Sequence, residues 1–276
     1  MTAARYCLNH YICPPGLGLL DFLDLAVAHG FVGVGLTERA LQELDTVRLA
    51  EALRERGLSI SSVNSAGYFL YGDAERARQQ AERNRWLIDC CALLGGAPLN
   101  VIVGGLGHTD GTLRLAAARQ RAHEQWLGFA GQAAAAGVPL LFEPIHPLGM
   151  WLKGCVHSLQ ESEEFVRGVP GAAITLDCFH SWWDAALPDF LARDDSPLAL
   201  VQICDVAAMG EDSIPQRVPP GEGVLDLGPL LRDCLRRRLP PCLELELFAA
   251  QLKGRDLGDV LKRACRHLAD IERAII

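Results

Sequence analysis

Two stretches of this sequence end a short apolar run in a carboxylate and place a histidine three residues later. They are Phe142-Glu143-Pro144-Ile145-His146-Pro147 and Thr175-Leu176-Asp177-Cys178-Phe179-His180. An apolar run of that length bounded by Gly or Pro reads as a buried strand. A carboxylate at its end needs a cation, a proton or water, because an isolated buried charge is costly. Two at corresponding positions point to a shared cation. Further along, Gln202 alternates with Val201 and Ile203. In Leu243-Glu244-Leu245-Glu246-Leu247 the leucines take one face and the glutamates the other, with Glu246 nearer the C-terminal rim and Glu244 deeper. Four successive strands thus aim Glu143, Asp177, Gln202 and Glu246 at one point. Three clustered carboxylates repel unless a cation joins them. Three carboxylates and an amide oxygen form an all-oxygen set, which suits Mg2+ or Mn2+ better than Zn2+. Neither Cys-x-x-Cys nor a His pair at i, i+4 offers a zinc site.

The elements that must position these groups alternate along the whole chain. Strand-like runs occur near 5–10, 31–36, 58–63, 99–104, 138–143, 172–177, 198–204 and 242–248, with helical periodicity between them, as at 81–94. Gly30, Gly57 and Gly137 each close a helix before the next strand. Eight strands alternating with helices predict a parallel sheet closed into a (β/α)8 TIM barrel, one α/β domain over residues 1–276. A doubly wound sheet is the runner-up, but no Gly-x-Gly-x-x-Gly turn follows the first strand. In a barrel the four aimed residues fall at the C-terminal rim, where active sites sit.

Composition narrows the partners. A net charge of -8 over 276 residues argues against nucleic acid. The one dense basic cluster, Arg236-Arg237-Arg238, closes a helix, where cations complement the dipole. The ten cysteines show no framework spacing, and several lie in strand-like runs as small hydrophobes. No basic-then-apolar leader opens the sequence and no apolar run reaches membrane-spanning length. The expectation is a soluble, cytoplasmic protein with no membrane partner.

These residues resemble the xylose isomerase-like TIM-barrel family of sugar phosphate isomerases and epimerases. The matching positions are Glu143-Pro144, Asp177-Cys178-Phe179-His180, Gln202-Ile203-Cys204-Asp205, Arg217-Val218-Pro219-Pro220-Gly221-Glu222-Gly223 and Glu246-Leu247-Phe248. The resemblance implies that Glu143, Asp177 and Glu246 hold a divalent metal, and that Glu143 and Glu246 also act as acid and base. His180 and Arg217 then hold substrate oxygens. The family's seventh-strand histidine is Gln202 here, as in the similar 3-dehydroshikimate dehydratases, and its amide oxygen would complete the ligand set. A nuclease reading weakens, because residues 31–36 and 58–66 lack the further histidines that endonuclease IV requires. A small carbohydrate or polyol is the implied partner, and a homo-oligomer the implied assembly.

The chemistry implied is proton transfer next to a carbonyl, through an enediolate that the divalent ion stabilises: isomerisation or epimerisation. Expulsion of a β-hydroxyl from the same species would make a dehydratase, with His146 as base and Arg217 as carboxylate clamp. A third reading is a barrel that binds a sugar without turning it over. Competing roles are open for three residues. His180 could orient Asp177, Arg217 could tie its loop to Glu222, and His146 could be a loop histidine. Asn9, His10 and Asn64 are candidates for the pocket floor and Lys153 for an inward reach. Trp182 and Trp183 read as core before sugar platform. The glycine-rich loop at His108 lacks the Lys-Ser/Thr of a phosphate-binding loop.

Overall fold

Period-two alternation in the sequence becomes a closed sheet in the computed structural model, which describes residues 6–209, 214–239 and 241–275. In chain order the strands are β1 (Tyr6–Asn9), β2 (Gly33–Thr37), β3 (Ser59–Gly67), β4 (Leu99–Ile102), β5 (Leu140–Phe142), β6 (Ala172–Asp177), β7 (Leu198–Ile203), β8 (Asp205–Met209), β9 (Ile214–Val218) and β10 (Cys242–Leu245). Eight of them form a parallel barrel in the order β1-β10-β7-β6-β5-β4-β3-β2, with β1 closing onto β2. The expected TIM barrel is the observed fold. One element was not expected: β8 and β9 pair as an antiparallel hairpin, with Val206 opposite Arg217, where the sequence reads as a Pro/Gly-rich loop. Pro215 sits on this two-stranded ribbon, where an edge strand tolerates a missing N–H.

Leucines and aromatics from the outward strand faces pack under the helices. Leu36, Leu176, Leu243 and Leu245 are buried there with Phe22 and Trp126. Each such side chain contributes roughly 1.5–3 kcal/mol by burial. The Trp126 indole N–H, on the helix Leu115–Ala135, donates to the Phe165 carbonyl at 2.7 Å, so the largest core side chain is also satisfied. Cys90 and Cys91 are buried on the helix Ala74–Leu93, and the ten cysteines are free thiols. Arg237, just past the helix Leu227–Arg236, is buried and donates to the carbonyls of Leu191, Arg193 and Ser196. It ties a neighbouring loop rather than complementing a dipole in solvent.

The inward faces are polar. Glu244, fully buried as its deeper position implied, accepts from Asn9 Nδ2 at 2.6 Å, Ser62 Oγ at 2.8 Å, Gln202 Nε2 at 3.0 Å and Ser61 Oγ. Gly35 makes this possible: a Cβ there would lie 2.3 Å from Glu244 Oε2 and 2.9 Å from Asn9 Nδ2. The carboxylate occupies the volume that a side chain on β2 would fill.

Candidate active site

Above this polar floor, the ends of β5, β6 and β10 deliver Glu143, Asp177 and Glu246, all buried. Asp177 closes β6 and also caps the short helix Cys178–Ser181, its Oδ1 accepting from the Phe179 amide at 2.8 Å. That turn swings His180 back over the strand end. Ligand atoms of Glu143, Asp177 and His180 lie within 4.8 Å of one another. His180 Nε2 is 3.7 Å from both Glu143 Oε1 and Asp177 Oδ2. Its Nδ1 accepts the backbone N–H of His146 at 3.1 Å, so Nε2 carries the proton of the neutral ring and points at the carboxylates. Burial lowers the His180 pKa to about 3, outweighing the attraction of Asp177. The ring is therefore a neutral hydrogen-bond donor, and its Nε2 has no hydrogen-bond partner.

Arg217, carried in by β9, is the cation of the site. Its Nη1 donates to Asp177 Oδ1 at 2.7 Å and its Nη2 to Asp177 Oδ2, while Nη1 also lies 3.0 Å from Glu246 Oε2. The guanidinium is sandwiched between Phe179 and Phe248, 4.9 and 4.8 Å from the ring centres. Glu222 pairs instead with Arg255, at 2.6 and 2.7 Å, so it does not anchor Arg217. Asp205, on β8, ties down the loop that follows Arg217 instead. Its carboxylate accepts the amides of Val206, Gly221, Gly223 and Leu225 at 2.8–3.1 Å, folding the 219–225 loop around itself. A Cβ at Gly223 would sit 2.3 Å from Asp205 Oδ1 and 2.4 Å from the Val206 carbonyl. This brace was invisible in the sequence, where Asp205 stood only as part of a motif.

The electrostatics divide the carboxylates. Burial pushes Asp177 up, but Arg217 outweighs it and holds the group at about 2. Burial, with repulsion from Asp177, raises Glu143 to about 7, and Asn100 Nδ2 donates to its Oε2. Burial raises Glu246 well above the usual carboxylate range despite Arg217. Gln202 pairs in register with Asp177 on one side and Glu244 on the other; its Nε2 donates to Glu244 at 3.0 Å and its Oε1 has no hydrogen-bond partner. Glu143, Asp177 and Glu246 face one buried guanidinium, and the raised pKa of the two glutamates means that they keep protons while no further positive charge is near. A divalent cation would displace those protons, so the carboxylates fit one. The ligand atoms that converge within 4.8 Å are those of Glu143, Asp177 and His180, and neither Glu246 nor Gln202 belongs to that group.

The remaining predicted residues take definite places. The His146 ring lies against Trp182 and Trp183, and its Nδ1 accepts the Leu148 amide at 3.2 Å, which engages the lone pair a base would use. Trp183 donates its indole N–H to the His180 carbonyl at 2.8 Å, and Trp182 remains partly exposed. Asn9 joins the floor to the rim, with Nδ2 2.6 Å from Glu244 and 3.4 Å from Glu246. Asn64 bridges Ser62 and Gln202. Lys153 does reach inward, to 5.4 Å from the Phe248 ring centre and into the field of Glu143. His108 hydrogen-bonds the Leu152 carbonyl at 2.8 Å, and its ring lies against Tyr71 and edge-on to Tyr68. Sequence reasoning missed Tyr11, Asn100, Phe179 and Phe248. Tyr11 is buried against Phe248 in the field of Glu246, which with burial raises its phenol pKa. A tyrosine two residues past a strand end carries too weak a signal to single out.

Comparison with known proteins agrees with this architecture. A search of curated proteins found no match. Among solved structures, protein SMc04130 from Sinorhizobium meliloti 1021 superposes with a TM-score of 0.86 at 25% identity, over 96% of this chain and 98% of that one. An IolI protein with a bound zinc atom gives 0.80 at 17% identity, over 99% of both chains. An L-ribulose 3-epimerase gives 0.74 at 18%, over 98% and 96%. Another epimerase and a probable dehydratase share the fold as well. The family model described as xylose isomerase-like TIM barrel matches residues 23–271, and the chain belongs to that family.

Proposed function

We propose that the protein is a divalent-metal-dependent isomerase or epimerase of a sugar or keto-polyol, working by proton transfer at the carbon beside a carbonyl. The observation that carries this reading is the pair of buried glutamates, Glu143 on the β5 side and Glu246 past β10, facing the Asp177–Arg217 ion pair. Two carboxyls raised in pKa and set apart by a fixed cation suit a cycle in which one takes the carbon-bound proton and the other returns it. A divalent ion held by Glu143, Asp177, Glu246 and the Gln202 amide oxygen would supply Lewis-acid polarisation of the substrate carbonyl. Mg2+ or Mn2+ suits that all-oxygen set.

The chain's own residues account for the rest. The His180 Nε2–H, unpartnered and aimed between Glu143 and Asp177, donates to the substrate oxygen that gains charge as the proton leaves. Arg217, stiffened by its two flanking rings, fixes Asp177 and Glu246 against each other with its planar fork. Asn100 orients Glu143, and Thr175 Oγ1 in turn fixes Asn100 by donating to its amide oxygen at 2.7 Å. Return of the proton to the same carbon from the other face gives epimerisation; return to the neighbouring carbon gives isomerisation.

The test is incubation with a panel of ketoses and Mn2+ in deuterated water. The expected result is deuterium at the carbon next to the carbonyl, abolished by Glu246→Gln with the fold retained. Retained exchange in that variant would remove Glu246 from the mechanism. A dehydratase is the second reading, favoured by Gln202 in place of histidine. A new ultraviolet chromophore from an enone or catechol would establish it in place of the first.

A further inference from the structure

The carboxylate cluster occupies one side of the barrel mouth; on the other, over the ends of β1, β2 and β3, lies a cavity of about 400 Å3. Asn64, Ser65, Tyr11 and Tyr68 line it together with Arg39 and Arg83. Tyr11 and Asn64 connect it to the site, Tyr11 by its ring against Phe248, which packs on Arg217, and Asn64 by accepting from Gln202. The cavity is therefore continuous in side chains with the reacting centre, and of a size that holds a small ligand.

Its wall is basic, although Glu38 lines it as well. Arg83 pairs with Glu38, whose other oxygen accepts from Gln42 at 2.9 Å. Arg39 has no carboxylate partner among the described residues. Its Nη2 makes only long contacts, 3.4 Å each, to the Cys13 carbonyl and to His10 Nε2. His10 is buried and hydrogen-bonded to Thr37 Oγ1 at 2.7 Å, so a fixed neutral ring backs the guanidinium without neutralising it. Past Tyr71, Gln80 and Arg83 a second cleft of about 390 Å3 adds Arg76 and His108, and Arg76 likewise lacks a carboxylate partner among the described residues. A protein of net charge -8 thus gathers unpaired guanidinium charge along one wall of its mouth.

We propose that this cleft binds an anionic group, a phosphate or a carboxylate, on the end of the substrate remote from the carbon that exchanges its proton, with Arg39 and Arg83 recognising it. The inference rests on the proton-transfer reading above and extends it to substrate class. The mouth is uneven in charge. Glu143, Asp177 and Glu246, balanced by Arg217 and the divalent ion of the proposed function, have no charge left for an anion, whereas Arg39 and Arg83 attract it, so a substrate charged at one end enters in one orientation. Guanidinium forks match the oxygens of either anion. A neutral sugar leaves Arg39, exposed at the rim, without an anionic partner.

The experiment compares deuterium exchange for matched neutral, phosphorylated and carboxylated ketoses, alongside calorimetric titration of inorganic phosphate and malonate. Wild-type kcat/KM should favour one anionic series over the neutral one by roughly 10-fold or more, the scale of one charge-assisted hydrogen bond. Arg39→Ala should collapse that ratio toward unity and Arg39→Lys should restore part of it. Whichever series is preferred identifies the anion. A neutral ketose exchanging as well as both anionic series, or a ratio unmoved in both Arg39→Ala and Arg83→Ala, would overturn the inference while leaving proton transfer intact. Absence of exchange with every substrate would count against proton transfer, and the titrations then decide. Phosphate or malonate binding that weakens in Arg39→Ala upholds the cleft, and no binding of either anion rejects it.

Discussion

At the scale of single residues, the unexpected finding is where Arg217 spends its charge. The motif suggested a substrate clamp, yet the guanidinium lies fully buried on Asp177 and Glu246. Removing one member of a buried ion pair typically costs about 3–5 kcal/mol, because the partner is left charged and unpaired. Arg217→Gln is therefore expected to destabilise the metal-free protein by that order, read as a shift in the urea midpoint. Added Mn2+ should recover much of the loss, since a cation can replace the missing charge on the same oxygens. A variant as stable as the wild type in chelator would show that Arg217 is not the counter-ion of the site. The same crowding explains the difference between the expected and observed groupings. Sequence alternation places carboxylates on a common face, but it does not say which cation they will share.

At the scale of elements, the barrel strands were legible because their leucines and glutamates alternate with period two. The strand ends carrying Glu143, Asp177 and Glu246 followed from that alternation. The hairpin β8–β9 was not legible. Val206, Ala207 and Ala208 oppose Arg217, Gln216 and Pro215, a pairing with no alternating apolar face to announce it. Its order comes from Asp205, whose carboxylate gathers four backbone amides. Gly223→Ala drives a methyl into that carboxylate and into the Val206 carbonyl, so the loop must open. We expect kcat/KM for exchange to fall at least tenfold, as for a small misplacement of a group that positions the reacting carboxylates, with the far-ultraviolet circular dichroism of the barrel unchanged. Full activity in that variant would mean that the hairpin does not position Arg217. Tyr11, Phe179 and Phe248 escaped sequence reasoning for a related reason: each is an apolar wall made functional only by what packs across from it.

At the scale of the whole molecule, buried titratable groups set the pH range of the metal-free fold. Glu143 is raised to about 7, so the folded state keeps a proton that the unfolded chain releases near the ordinary 4.5. Glu246 shifts in the same direction. Their contribution is fully present below about 4.5 and is lost as pH rises through their folded values. His10, lowered to about 4, and His180, lowered to about 3, act the other way: the unfolded chain takes up protons below about 6.5 that the folded state refuses. The two effects oppose each other between about pH 4.5 and 6.5, and above that window only the carboxylates still change the balance. Stability in chelator should therefore be nearly flat from pH 5 to 6 and fall toward pH 8. Glu143→Gln should lessen that fall by about 2 kcal/mol at most, measured by urea unfolding at pH 5.5 and 8. An identical fall in the variant would exclude Glu143 as its source. No helix among the described residues is long and apolar enough to cross a membrane. The long apolar stretches of the sequence are spent on the layer between barrel and helices.

Gly35 and Glu244 carry a consequence beyond this one chain. The glycine has surrendered its side-chain volume to a carboxylate that four donors pin in place, so neither position is free to drift alone. While Glu244 stays in place residue 35 must remain glycine, and a shorter residue at 244 would clear the nearer clash but still require Asn9 to give way. Anyone redesigning the floor of this barrel has to recode the two codons together.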